Sequence, residues 1–171
     1  MVQDSTTYYV WIGGSCDYGH KEPTNEARAE SQARLGYALQ EGGRRSQRAG
    51  GAAVVIEHGG SIISRDVISD LHTTEFRMML TLMVKVMNAI PNDSDILFLT
   101  NVAYIQNFDK TPTAKSANPD LITQCIKAKT QHNSVSVKIV QYQKSPLLIE
   151  THDMATGAMV KTRKEYYHDI K

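Results

Sequence analysis

The densest basic run in the sequence is RRSQR, which carries Arg44, Arg45 and Arg48 between two glycine pairs. Guanidinium groups grip phosphate through paired N–H donors. Three of them on a pliable stretch suit backbone contacts to nucleic acid that order on binding. A solvated surface loop accounts for the same residues. Lys127, Lys129, Lys138 and Lys144 are scattered and read as ordinary surface charge. His152-Asp153 joins two groups able to move protons. The histidines, His20, His58, His72, His132, His152 and His168, show no spacing typical of a zinc site. Cys16 and Cys125 form no paired motif, and no glycine loop of either standard phosphate-cradling kind is present.

Composition narrows the classes. The chain has 171 residues, enough for one domain with its own core and too few for two of ordinary size. Lysine and arginine number 19 against 18 aspartates and glutamates, a net charge of +1. That balance argues against coating nucleic acid through bulk charge, while a local basic patch stays open. No apolar run approaches the ~18 residues of a membrane span. The start, MVQDSTTYY, lacks the basic and apolar pattern of an export signal, so a cytoplasmic location with two free thiols is expected.

The elements that must position these residues follow from patterning. TTYYVWIGG reads as a first strand, rich in β-branched and aromatic residues and ended by Gly13 and Gly14, with CDYGHKEPT as a loop. Residues 25–41 read as a helix capped by Asn25 and stopped by Gly42 and Gly43. GAAVVIEH and SIISRDVI form a hairpin through Gly59-Gly60. TTEFRMMLTLMVKVMNAI holds one apolar stripe, Phe76, Met79, Leu80, Met83, Val84 and Met87, with Thr74 as cap and Pro91 as stop. DILFLT is a strand covered on both faces. NVAYIQNF is a short helix, PDLITQCIKAK a helix, VSVKIVQYQ a strand and ETHDMATGAMVKTRKEYYHDI a last helix. Hairpin strands followed by strand–helix alternation predict a mixed sheet with helices packed on it.

Three segments carry a resemblance. Ile12-Gly13-Gly14-Ser15-Cys16 lies where the ribonuclease H family ends its first strand in Thr-Asp-Gly-Ser, often followed by Cys. Thr74-Glu75-Phe76-Arg77-Met78-Met79-Leu80 is similar to that family's Thr-Asn-Asn-Arg-Met-Glu-Leu. Thr100-Asn101-Val102-Ala103-Tyr104 resembles its Thr-Asp-Ser with a tyrosine two residues on. The resemblance spans most of the chain outside residues 20–48. It implies a single α/β domain over 1–171 with a five-stranded mixed sheet, helices on both faces, and an extra helix and basic loop inserted between strands 1 and 2.

Family nucleases cut the RNA strand of an RNA–DNA hybrid with two divalent ions held by carboxylates. Here the matching positions are Gly13, Met79 and Asn101, with Asp153 as a residual fourth carboxylate. Glycine has no side chain, methionine is a soft ligand that suits magnesium poorly, and asparagine is neutral. Asp17, Asp66 and Asp70 are near enough in sequence to rebuild a site. The leading expectation is an inactive member that binds hybrid or other nucleic acid through Gly14, Ser15, Arg44, Arg45, Arg48, Arg77, Asn101 and Lys144. No cofactor is expected, with Mg2+ required only if the chain is an active nuclease with relocated ligands. A third reading is a protein-interaction scaffold or homodimer with no nucleic-acid role. Asn101 has two meanings as well, a donor to phosphate or a cap for the following turn. Met79 reads as core filling, and Gly13 as a residue that permits a backbone others resist.

Overall fold

The computed structural model describes residues 3–17 and 49–167, with side chains through Glu165. The expected helix at 25–41, its flanking Asn25, Gly42 and Gly43, and the RRSQR run lie outside the described residues.

Five strands form one sheet. They are β1 (Tyr8–Asp17), β2 (Ala49–His58), β3 (Ser61–Leu71), β4 (Asp95–Thr100) and β5 (Ser134–Ile139), in the order β3-β2-β1-β4-β5. β1, β2 and β3 pair antiparallel, whereas β4 runs parallel to β1 and β5 parallel to β4. Gly59 and Gly60 turn the hairpin with φ of 61° and 80°, the left-handed values such a two-residue turn requires. The helices are α1 (Glu75–Ala89), α2 (Pro119–Lys129) and α3 (Pro146–Tyr167), with 3-10 turns at Ala103–Asn107 and Tyr142–Lys144. The sheet is therefore mixed and five-stranded, as expected from the sequence.

Several boundaries differ from expectation. β1 does not end at its glycines: it continues through Ser15 and Cys16 to Asp17, because β2 pairs with it down to Ala49. β3 likewise runs on to Leu71. The last helix starts at Pro146 rather than Glu150, so Pro146 to Ile149 belong to it; proline is well tolerated in a first turn, where its missing N–H has no partner to lose. β5 stops at Ile139, and Tyr142–Lys144 winds into a turn that leads into α3.

α1 starts where its sequence dictates. The Thr74 hydroxyl accepts from the Arg77 backbone N–H at 3.1 Å, and Pro91 prevents continuation past Ile90. Of its apolar stripe, Met79, Leu80, Met83 and Met87 are inaccessible to solvent while Phe76 and Val84 are half-buried; Leu82, outside the stripe, is inaccessible too. The inaccessible side chains pack with Val10, Ile12, Val54, Ile96 and Phe98 of the sheet and Leu121, Ile122 and Cys125 of α2 in one hydrophobic core. α3 covers the opposite face of β1, β2 and β3 through Leu148, Thr151, Ala155 and Met159. Two ion pairs from neighbouring β3 residues mark the two faces: Arg65 reaches Glu150 of α3 at 2.7 Å, and Asp66 reaches Lys85 of α1 at 2.6 Å.

Two substitutions test this packing. Thr74→Ala removes the α1 cap and is expected to lower the unfolding free energy by about 1 kcal/mol. Met83→Ala opens a cavity between α1 and the sheet and is expected to cost about 2–5 kcal/mol. Urea unfolding reads both, and a Met83→Ala chain as stable as its parent contradicts the core assignment.

Candidate functional site

The three matched positions lie on β1, on α1 and just beyond the end of β4. β1 and β4 are parallel, and their paired register ends with Trp11 opposite Leu99, short of both Gly13 and Asn101. Met79 is on α1, directly over β1. A Cβ added at Gly14 would lie 3.0 Å from Met79 Cγ and Sδ and 3.2 Å from Glu75 Cβ. Gly13 faces the other way. A Cβ there would fall 2.4 Å from Thr151 Oγ1 and 3.2 Å from the His152 backbone nitrogen. Real side chains do not approach so closely. α3 thus occupies the space into which a carboxylate at this position would project.

The seating is reinforced from below. A Cβ at Gly51, which pairs with Ser15 on β2, would lie 2.6 Å from the Ala155 carbonyl oxygen of α3. Gly13 and Gly51 together form a floor without side chains, and Thr151 and Ala155, one helical turn apart, fit onto it. Thr151 is fully buried, and its hydroxyl donates to the Leu148 carbonyl at 2.6 Å. Sequence reasoning missed Thr151. Its signal was the small-residue pair Thr151 and Ala155 at four-residue spacing on a helix, which means something only once the glycines opposite are known. The expectation that Gly13 relieves backbone strain at a strand end is corrected: it lies within β1, and its role is close approach.

The other predicted contacts scatter. Gly14 is buried under Met79. Ser15 is half-buried beneath α3, where its hydroxyl accepts from Thr156 Oγ1 at 2.9 Å. Arg77 grips Asp120 of α2 with both guanidinium nitrogens, at 3.2 and 2.8 Å, and donates to Asn118 at 3.3 Å. Its fork is thereby spent within the protein. Asn101 is exposed at the end of β4. It does not cap the turn that follows: the side-chain acceptor for the Val102 N–H is Thr100 Oγ1, at 3.2 Å, and Val102 holds the cap position. Lys144 is exposed in the turn before α3. Arg44, Arg45 and Arg48 fall outside the described residues.

Acids that were candidates to rebuild a metal site are dispersed. Asp17 faces Arg163 at 3.4 Å, and Asp66 is paired with Lys85. Asp70 accepts from the Leu71 N–H at 2.8 Å. Asp153 lies well inside α3 with its side chain 76% exposed, and its carboxylate is 3.9 Å from His152 Nδ1, too long for a hydrogen bond. The His152 ring instead meets Tyr142 edge-on. Among the described residues, no group of three or more histidines, cysteines, aspartates or glutamates is placed to hold a metal ion. The pair of divalent ions implied by the resemblance does not fit the residues present: a glycine, a buried thioether and a neutral amide cannot balance two close dications. Cys125 is no substitute nucleophile, since burial pushes its thiol up to about 12.

The Arg77 hydrogen bonds hold the Asp120 carboxyl below its ordinary value. A depressed carboxylate contributes stability that is present above about pH 4 and is lost as pH falls through its folded value. Both partners are about half exposed, so the contribution is under ~1 kcal/mol. Asp120→Asn is expected to lower stability at neutral pH by under ~1 kcal/mol and leave it unchanged below the folded value, which flattens the acid limb of the stability curve slightly. A larger effect is expected at the glycine floor. Gly13→Ala should cost about 1–3 kcal/mol by overpacking. Thr151→Ala in the same chain should recover part of it, a coupling that a double-mutant cycle measures. Unaltered stability of Gly13→Ala would contradict the seating of α3.

The chain matches no protein-family model and no curated protein by sequence. Similar folds are found among solved structures. LC9-RNase H1, described as a type 1 RNase H with the type 2 active-site motif, superposes with a TM-score of 0.64 at 16% identity, over 99% of this chain and 84% of that one. RNase H1 from the halophilic archaeon Halobacterium salinarum NRC-1 gives 0.58 at 12% identity, over 91% and 98%. The N-terminal RNase H domain of Rv2228c from Mycobacterium tuberculosis, solved as a fusion with maltose-binding protein, gives 0.58 at 8% identity, over 92% and 97%. At these identities the likeness speaks to architecture, and the architecture of this chain is a ribonuclease H-like fold.

Proposed function

We propose that the chain is a ribonuclease H-like protein that engages nucleic acid without hydrolysing it. One observation carries the reading: the direction in which a β1 carboxylate would leave Gly13 is filled by Thr151 and the His152 backbone. The ligand position is closed by packing, and Asn101, the position matched to a family aspartate on the fourth strand, is neutral. Loss of carboxylates also removes repulsion of a bound phosphate, roughly 1 kcal/mol in water or about 4 in a partly shielded cleft at ~4 Å. Asn101 and Lys144 are exposed polar groups available to a strand, and the RRSQR run supplies charge for its backbone.

A second reading, a protein-interaction scaffold, is favoured by the edge of the sheet. Among the described residues β3 is an outer strand, and Ile62, Ile63 and Val67 on it are exposed. An unpaired apolar edge is a ready place for another chain to add. Among the described residues, no helix is long and apolar enough to cross a membrane.

Labelled RNA–DNA hybrid, duplex and single strand separate the readings. No cleavage is expected with magnesium or manganese. Binding by fluorescence anisotropy should persist in chelator, fall steeply with salt, and weaken in an Arg44→Ala, Arg45→Ala, Arg48→Ala variant. Divalent-dependent scission, or tightening of binding by magnesium, would overturn the reading. Indifference to all three nucleic acids together with a stable dimer would move it to the scaffold.

A further inference from the structure

A hollow of about 300 Å³ opens beside the Ala103–Asn107 turn, between α1, α2 and residues 107–117. Its volume is at the lower end of small-molecule sites. Leu80, Phe108 and Ile122 make the apolar floor, each buried at or below 7% exposure. Tyr104 forms one wall. Its ring is fixed against Phe76 at 4.6 Å, and its hydroxyl donates to the Ala117 carbonyl and accepts from the Asn118 amide. The wall is therefore preformed. The rim is polar, with Asn107 and Lys110 at the mouth. Lys110 is exposed, and the acid beside it, Asp109, is already held by Lys129 at 2.7 Å. The Lys129 ammonium also lies 5.7 Å from the Phe108 ring centre. The mouth thus carries positive charge that its neighbouring carboxylate does not cancel.

We propose that this hollow binds a small planar aromatic anion, one or two fused rings with a single carboxylate or phosphate. The ring rests on Leu80, Phe108 and Ile122 against the Tyr104 wall, and the anionic group meets Lys110 with the Asn107 amide beside it. Apolar burial supplies the attraction for the ring, and the cation selects its charged end. The site is separate from the glycine floor, so it stands or falls independently of nucleic-acid binding.

Calorimetric titration and amide-shift mapping with indole-3-acetate, AMP and neutral indole test it. Indole-3-acetate or AMP is expected to bind with a dissociation constant on the order of 0.1–1 mM, suited to a ligand of this size. Benzoate and phenyl phosphate, which share a ring and differ in the charged group, then identify the anion as carboxylate or phosphate. Lys110→Gln should weaken the anion about tenfold and leave indole unaffected, as expected for loss of one charge contact. Ala117→Phe, at an exposed position on the rim, should abolish binding by filling the hollow without lowering the melting temperature. The proposal is overturned if neither anion binds, if indole binds as tightly as the acid, or if binding survives Ala117→Phe in a folded chain.

Discussion

Close approach of the C-terminal helix to β1 and β2 governs this molecule. Two residues without side chains, Gly13 and Gly51, let α3 settle until Thr151 and Ala155 occupy space that any Cβ would need. Protein interiors are packed densely enough that such a seat admits little addition. On the opposite face of the same strand, Gly14 lets Met79 of α1 lie flat against the sheet. One strand is thus clasped from both sides where its glycines are adjacent. The same clasp sets the path of α3 along β1, β2 and β3, with Arg65–Glu150 and Arg163–Asp17 at its margins.

Packing and electrostatics at this corner are two aspects of one change. A cluster of acids is tolerated in one place only if something cationic offsets their mutual repulsion. Here Gly13 faces α3 and Met79 lies over the sheet, and the groups at the matched positions are small, apolar or neutral. No repulsion has to be balanced, and the volume is returned to the core. The remaining acids are distributed to separate cations, Asp66 to Lys85, Asp109 to Lys129 and Asp120 to Arg77. Each such pair ties two elements together, and together they spread charge over the surface.

The elements with strong local signals were legible without coordinates. α1 showed its apolar period, its Thr74 cap and its Pro91 stop, and β4 its short apolar run, because local chemistry dominates there. The hairpin turn was legible from Gly59-Gly60 for the same reason. Boundaries that depend on a partner were not. β1 continues past its glycines because β2 pairs with it, and α3 begins at Pro146 because Leu148 and Thr151 bury against the sheet. Arg77 looked like a phosphate contact in sequence, yet Asp120 lies on a helix more than forty residues away and satisfies it first.

The sequence by itself determined which atoms were available at the matched positions: no carboxylate at Gly13, Met79 or Asn101. That is a matter of covalent chemistry, and folding cannot alter it. Only the tertiary structure decided what took the vacated space and whether other acids would converge to replace the missing ones. Those outcomes depend on long-range packing, in which residues far apart in the chain compete for the same few ångströms, and Thr151 meets Gly13 only after the helix and the sheet have docked.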